Sequence, residues 1–228
     1  MKFDQYTLKA RVYPAALCVV PIILLVFIID DPTVAKLLSD VVAVQVAGQV
    51  TVSVAAFFLL MQFARTLGKD VFERVIFKEE LHFPTTEYLM PTCSELSDEL
   101  KARIADKAKK LFDLELPTME ACEKDELAAR RQARDVVACV RGAAGKPGLL
   151  LQRNWEYGFY RNLAGGSIVA IIASGIGAYW HAGTPVGRVF IVLALIYLLT
   201  VVLSRWLLRR TAGHYAQQLF YAFLGDER

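Results

Sequence analysis

The stretch VFIVLALIYLLTVVLS, residues 189–204, carries no charged side chain and decides the class of fold. It belongs to the last of four apolar segments, which cover residues 12–29, 41–64, 163–180 and 186–204. None of the four contains Asp, Glu or Lys. Because about 20 helical residues span the roughly 30 Å of a bilayer's hydrocarbon core, the segments predict four transmembrane helices.

The overall composition agrees with a membrane protein, since 55% of the residues are hydrophobic and 21% are charged. We predict an all-α polytopic membrane protein. Its domains are an N-terminal transmembrane hairpin in residues 1–64, a helical cytoplasmic domain in 65–162, a C-terminal transmembrane hairpin in 163–207 and a cytoplasmic tail in 208–228. The prolines at 14 and 21 each remove a backbone donor from the first helix, so neighbouring groups must compensate.

Basic residues set the orientation, because they are enriched on the cytoplasmic side of transmembrane helices. Those flanking the predicted helices towards the termini and the central domain are Lys2, Lys9, Arg11, Arg65, Lys69, Arg74, Lys78, Arg153, Arg161, Arg205, Arg209 and Arg210. The two short connections are acidic or nearly uncharged. Both termini and the central domain are therefore predicted to be cytoplasmic.

The central domain has helical periodicity and no strand pattern of useful length. Residues 68–80 continue the second membrane helix, and Ser97 is a plausible N-cap for a helix with an apolar stripe. The stripe consists of Leu100, Ile104, Ala108, Leu111 and Phe112. A second helix is expected from the acidic run at 120–126 to Arg141, and residues 149–161 lead into the third membrane helix.

Charge in the central domain is balanced in total but segregated along the chain. Residues 79–99 carry only acidic charges, whereas residues 130–161 are strongly basic. One interpretation is salt bridging within or between subunits, together with attraction to anionic lipid. The other is a cytoplasmic site for phosphate, a nucleotide or a short oligonucleotide, built from planar arginine donors.

Two membrane segments carry patterns of polar or small residues. Gln45, Gln49 and Ser53 recur at steps of four in the second segment, which fits either hydrogen bonding between helices or the wall of a pore. Four helices in one chain are too few to enclose a conducting path, so a pore requires several copies. In the third segment, Gly166, Ala170, Ser174 and Ala178 have the spacing of a packing seam.

Signals for catalysis are weak. The sequence has no phosphate-binding loop, nucleophile elbow or zinc-protease motif, and its four cysteines form no Cys-x-x-Cys pair. His82 with Cys93 as metal ligands, or Glu79 and Glu80 with His82 as acid and base, are less probable than ordinary structural roles. We therefore predict no enzyme, no catalytic residues, no metal site and no cofactor.

Two motifs give the chain a resemblance to a known group. They are Pro84-Thr85-Thr86-x-x-Leu89 and Asn154-x-x-Tyr157-Gly158-Phe159-x-Arg161-Asn162. Together with Leu116-Pro117-Thr118 they resemble a group of small bacterial membrane proteins with four transmembrane helices. That group is similar to the membrane effectors of nucleotide-signalling antiphage defence, of the CBASS and Hailong types.

The resemblance implies a homo-oligomer, with a tetramer favoured, in the bacterial inner membrane. It implies a channel or pore-forming effector that opens or closes in response to a cytoplasmic nucleotide or oligonucleotide second messenger. Gln45, Gln49 and Ser53 would line the path. The ligand residues would be Thr85, Thr86, Arg130, Arg131, Arg134, Arg153 and Arg161. The alternative is a membrane anchor that conducts nothing and recruits a cytoplasmic protein partner.

Overall fold

A computed structural model describes residues 5–28, 45–78, 80–145 and 147–225, and within these ranges all regular structure is helical. The all-α prediction is therefore confirmed. Helix α1 is a run of four pieces, Gln5–Thr7, the π-helical Leu8–Val12, Tyr13–Cys18 and Val20–Ile28. Helix α2 joins Gln45–Leu67, the π-helical Gly68–Glu73 and Arg74–Phe77. The remaining helices are α3 (Pro84–Glu87), α4 (Asp98–Phe112), α5 (Met119–Lys124), α6 (Glu126–Ala143), α7 (Gly148–Trp180) and α8 (Pro185–Leu224).

Three helical stretches are long and apolar enough to cross a membrane: Gln5–Val26, Gly148–Trp180 and Pro185–Leu224. They contain the third and fourth apolar segments and most of the first, and they fit a membrane protein. The second segment lies partly outside the described residues, since the structure begins again at Gln45 and describes no side chains for residues 45–53. Four spans in two hairpins therefore stay a prediction.

The chain divides into two compact units, each made from separate parts of the sequence. The first unit comprises Met1–Phe72 and Gly158–Arg205, and the second comprises Glu73–Tyr157 and Trp206–Arg228. The helices α2, α7 and α8 each contribute residues to both units. The sequence analysis predicts residues 208–228 as a separate cytoplasmic tail, whereas the structure includes them in the second unit.

The two prolines of α1 are compensated by side chains from other helices of the first unit. Pro14 cannot donate to the carbonyl of Ala10, four residues earlier, and Asn162 Nδ2 donates to that oxygen at 2.6 Å. Pro21 likewise leaves Leu17 O without its helical donor, and the hydroxyl of Tyr197 donates to it at 2.6 Å. The expected compensation of both prolines is thus confirmed.

Small residues let the helices of the first unit approach closely. A Cβ on Gly165 would lie 2.1 Å from Ala64 O and 2.4 Å from Gly68 N, so only glycine fits where α7 meets α2. A Cβ on Gly166 would lie 2.7 Å from Cys18 Sγ in α1. Ala170 and Ser174 are buried on the same helix. The predicted small-residue positions of α7 therefore do form a packing seam.

The second unit has one apolar core. Its helices α4 and α6 contribute residues at helical spacing, and the loop after α3 contributes Leu89 and Met90. The last part of α8 completes it with Ala216, Leu219, Phe220 and Phe223. These α8 residues recur at intervals of three and four, so one face of the helix is apolar and packs inward. Residues 216–223 are therefore part of a folded core.

Polar caps define the helix starts in the second unit. Ser97 Oγ accepts a hydrogen bond from Leu100 N at 3.3 Å, which confirms the predicted N-cap of α4. Thr118 and Asp125 cap α5 and α6 in the same way. The predicted single helix from 120 to 141 is wrong, because Asp125 ends α5 and starts α6. Leu111, predicted to face the core with its stripe, is exposed because it lies in the last turn of α4.

Candidate functional site

A tight turn after α2 begins the site. Helix α2 ends at Phe77 because Lys78 adopts a left-handed conformation with φ 43°, and Glu80 is left-handed as well, with φ 70°. Such conformations are unfavourable for residues other than glycine, so surrounding contacts must hold them. One such contact is the hydroxyl of Thr86, which donates to Glu80 O at 3.0 Å.

The short helix α3 follows and carries both predicted threonines. Pro84 occupies its first turn, where the missing N–H costs nothing. Thr85 and Thr86 are 0% and 1% exposed. Their hydroxyls are both engaged, that of Thr86 with Glu80 O and that of Thr85 with an arginine of α6. A ligand would reach them only after this segment moves.

Two arginines of α6, three helical turns apart, hold the segment Leu81–Glu87. Arg130 is buried; its Nε donates to Glu126 Oε1 at 2.8 Å and its NH1 donates to Leu81 O at 3.1 Å. A second carboxylate, that of Glu87, lies 3.9 Å from Arg130 NH2. The predicted ligand residue Arg130 is thus buried and engaged in contacts within its own unit.

Arg141 holds the middle of this segment by weaker contacts. Its NH2 donates to Thr85 Oγ1 at 3.3 Å, its NH1 lies 3.9 Å from Glu80 Oε2, and its guanidinium lies 5.9 Å from the ring centroid of Phe83. Among the described residues, its buried Nε has no hydrogen-bond partner. With 36% of its side chain exposed, Arg141 is accessible to solvent and held only loosely.

Phe83 connects this segment to the long helices. Its ring makes edge contacts with Phe77 at the end of α2 and with Tyr157 of α7, at centroid distances of 4.8 and 5.4 Å. The hydroxyl of Tyr157 also donates to Glu73 Oε2 in α2, at 2.9 Å. We call Phe77, Phe83, Thr85, Arg141 and Tyr157 the aromatic junction.

The other predicted arginines are placed apart from the junction contacts. Arg134 pairs with the neighbouring Asp135 at 3.1 Å, and Arg153 pairs with Glu156 at 2.8 Å. Arg161 lies in the first unit, where its backbone oxygen packs against Gly68. Arg131 is exposed, and no carboxylate is within salt-bridge distance among the described residues.

Arg131 lines an open concavity of about 410 Å³ in the second unit. Its other lining residues are Asp113, Leu114, Glu115, Ala128, Gln132, Asp135 and Val136. Two of its carboxylates already have cationic partners, since Glu115 pairs with Lys109 at 2.6 Å and Asp135 pairs with Arg134. The Gln132 amide nitrogen donates to Glu115 O at 2.9 Å. The concavity therefore offers the guanidinium of Arg131 to a polar ligand of modest size, beside the carboxylate of Asp113.

His82 lies in the same segment, near groups of both signs. Burial lowers its pKa below the ordinary value of 6.5, and the positive charges of Arg130 and Lys78 lower it further, against the opposing effect of Glu87 and Glu126. His82 is therefore neutral at physiological pH. No group of three or more His, Cys, Asp and Glu side chains within the described ranges could hold a metal ion.

The predicted pore residues cannot be placed. Gln45, Gln49 and Ser53 belong to α2, but their side chains lie outside the described residues. The functional residue that sequence reasoning left out of its ligand set is Arg141, although it lies within the basic region 130–161. Its spacing of eleven residues from Arg130, which puts both on one helix face, was the available signal.

A comparison of the chain with protein-family models, with curated proteins and with solved structures finds no match. Function must therefore be argued from the residues and their contacts.

Proposed function

We propose that this protein is an oligomeric channel or pore-forming effector of the bacterial inner membrane, gated by a nucleotide-type signal that acts on its second unit, in antiphage defence. The observation that carries the proposal is the aromatic junction. In it, a segment held by two arginines packs through Phe83 against both α2 and α7. Both helices continue without a break into the first unit, as α8 does.

The mechanism is differential binding. A phosphate-bearing ligand that contacts exposed arginines of α6 favours the arrangement of α6 that suits it. Since Arg130 and Arg141 hold Leu81–Glu87, a shift of α6 changes the position of Phe83 against Phe77 and Tyr157. The preference for one arrangement of α6 is then transmitted along the continuous backbones of α2 and α7 to the apolar segments.

Within this proposal the ligand residues divide into two roles. Arg131 and Arg134 are accessible and are the ones we expect to meet the ligand first, with Arg153 and Arg161 as further predicted contacts. Arg130, Thr85 and Thr86 are buried in the holding contacts, so their predicted part in binding is indirect unless the segment opens.

Ion flux tests the proposal. The purified protein is reconstituted in liposomes that contain an ion-sensitive dye, and a panel of mono-, di- and cyclic nucleotides is added. We expect at least one nucleotide to change the flux, and expect R131Q/R134Q to abolish this response. K110Q, which removes an exposed charge from α4, should respond like the wild type. A panel without effect, or an unchanged response of R131Q/R134Q, would contradict the proposal.

A second candidate is a membrane scaffold that conducts nothing and recruits a cytoplasmic protein. It is favoured by large apolar side chains exposed on the second unit, among them those of Leu111, Met119 and Leu127. Where such side chains form a contiguous patch, the patch is typical of a protein contact surface. Replacing Gln45 and Gln49 by leucine separates the two candidates: conductance changes in a channel, whereas a scaffold has no conductance to change.

A further inference from the structure

The basic residues at the C-terminal end of α8 lie on a helix that carries no acidic residue. Between Pro185 and Leu224 this helix contains arginines but no Asp, Glu or Lys. Arg209 and Arg210 are exposed and have no carboxylate within salt-bridge distance among the described residues. Four arginines of α6 and α7, at positions 130, 134, 141 and 153, each have a carboxylate within 4.0 Å, whereas Arg131 of α6 resembles Arg209 and Arg210 in having none among the described residues.

These two arginines share a face with a tryptophan. Trp206 is 57% exposed, and the guanidinium of Arg210 lies over its ring, 5.3 Å from the centroid. Residues 206, 209 and 210 lie one turn apart on one side of the helix. On the other side, Leu208 and Ala212 are fully buried. The face formed by Trp206, Arg209 and Arg210, here called the basic face, therefore points away from the packed side of the helix.

The basic face follows the uncharged apolar stretch 189–204 and is separated from it by Arg205. Tryptophan is enriched where a membrane-crossing helix leaves the hydrocarbon, because its ring is apolar and its N–H is polar. Arginine binds phosphate oxygens through two parallel N–H donors. The order apolar stretch, tryptophan, arginine pair thus matches the order acyl chain, interface, headgroup phosphate.

We propose that the basic face binds the headgroups of anionic phospholipids, and that the membrane supplies the negative charges that the described residues do not place within salt-bridge distance of Arg209 and Arg210. This surface does not depend on the nucleotide response proposed above. It depends only on insertion of α8 in a bilayer.

Fluorescence quenching of Trp206 tests the inference. In the full-length chain with W155F and W180F, Trp206 is the remaining tryptophan. The protein is reconstituted in bilayers that contain either brominated phosphatidylglycerol, which is anionic, or brominated phosphatidylcholine, which is zwitterionic. Since an arginine near an anionic surface changes binding about fivefold, we expect a clear preference of the site for phosphatidylglycerol.

The variant R209Q/R210Q should lose this preference, by roughly twenty-five-fold if the two arginines act independently, while both lipids still quench Trp206. K110Q/K124Q, with the same charge change at two exposed lysines elsewhere in the second unit, should keep it. Circular dichroism and size-exclusion chromatography check that each variant is folded. Equal quenching by the two lipids in the parent protein, the same preference in R209Q/R210Q, or no quenching by either lipid would overturn the inference.

Discussion

At the scale of single residues, Arg141 is the most exposed part of the aromatic junction. It makes one long hydrogen bond to Thr85, a distant ion pair with Glu80 and a contact with the ring of Phe83. Each of these is weak alone, but together they hold a turn with two left-handed residues. Loss of the Arg141 contacts should therefore destabilise the whole segment Leu81–Glu87.

The variant R141Q tests this. We expect it to destabilise the segment by about 1–2 kcal/mol, the value of one hydrogen bond from a charged group with a partly exposed cation–π contact. Hydrogen exchange of the amides of Leu81–Glu87 measures the loss. R134Q is the matched control, because the carboxylate that Arg134 meets among the described residues is that of its exposed neighbour Asp135, and its effect should be within about 0.5 kcal/mol. Equal effects of the two variants would contradict the role of Arg141.

His82 gives the second unit a dependence on pH. Its pKa in the folded protein lies below the ordinary 6.5, so the unfolded chain takes up a proton first as the pH falls. The free energy of unfolding should therefore be highest above pH 6.5 and decrease as the pH falls through the folded pKa of His82. Thermal unfolding of H82Q and the wild type, measured from neutral to mildly acidic pH, checks this. H82Q should lose less stability over this range, and identical slopes would contradict the assignment.

Sequence reasoning at this scale succeeded for local signals and failed for distant partners. The N-cap Ser97 could be predicted because its hydrogen bond closes within three residues. The compensation of Pro14 and Pro21 could be expected, but not its donors, because Asn162 and Tyr197 lie far along the chain. Arg141 was overlooked because a count of charges cannot tell which arginine a buried hydroxyl will meet.

At the scale of helices, the proline compensations explain part of a motif used for the resemblance. Asn162 donates to the carbonyl that Pro14 leaves without its helical donor. Gly158, in the same motif, gives α7 room beside Ala10, since a Cβ there would lie 2.9 Å from the Ala10 Cβ. These two motif residues therefore fasten α7 to α1, whatever ligand the protein binds.

A double-mutant cycle tests the fastening. N162A leaves Ala10 O without this donor, and we expect a cost of about 1–3 kcal/mol for an unsatisfied buried carbonyl. In P14A the backbone N–H returns and can donate to Ala10 O, so N162A should cost less in that background. Unfolding in detergent micelles gives the four stabilities. Equal costs of N162A in both backgrounds would show that Asn162 does not act through this carbonyl.

Helix identity could be predicted more reliably than helix boundaries. Residues 120–141 have one continuous helical pattern, yet Asp125 divides them because its side chain caps a new start more favourably than it continues the old helix. The end of α8 was missed for a different reason. The apolar positions of this part of α8 follow two exposed arginines, so charge and hydropathy predict a tail. In the structure these positions belong to a helix that packs into the core.

At the scale of the whole molecule, α8 completes the core of the second unit. Phe220 is 0% exposed and lies in the same core as Ile104 and Val137, whereas Tyr221 beside it is 40% exposed. The pair allows a matched test of how much of the unit depends on this helix.

We expect F220A to cost about 3–5 kcal/mol, because it leaves a cavity in a packed core. Y221A should cost about 1 kcal/mol or less. Hydrogen exchange in α4 and α6 is the measurement, since it reports on helices remote in sequence from the substitution. Faster exchange there in F220A, but not in Y221A, is the expected result. Unchanged exchange in F220A would mean that the core does not need α8.

The split composition of the second unit also sets an order for biosynthesis. Residues 73–157 leave the ribosome well before 206–225, which supply the missing side of their core. During that interval the apolar faces of α4 and α6 have no covering partner from α8, while the segments that follow are being delivered to the bilayer. A chain interrupted in this interval would expose the apolar faces of α4 and α6 to chaperones and proteases. Synthesis of the end of α8 is therefore the step that buries these faces.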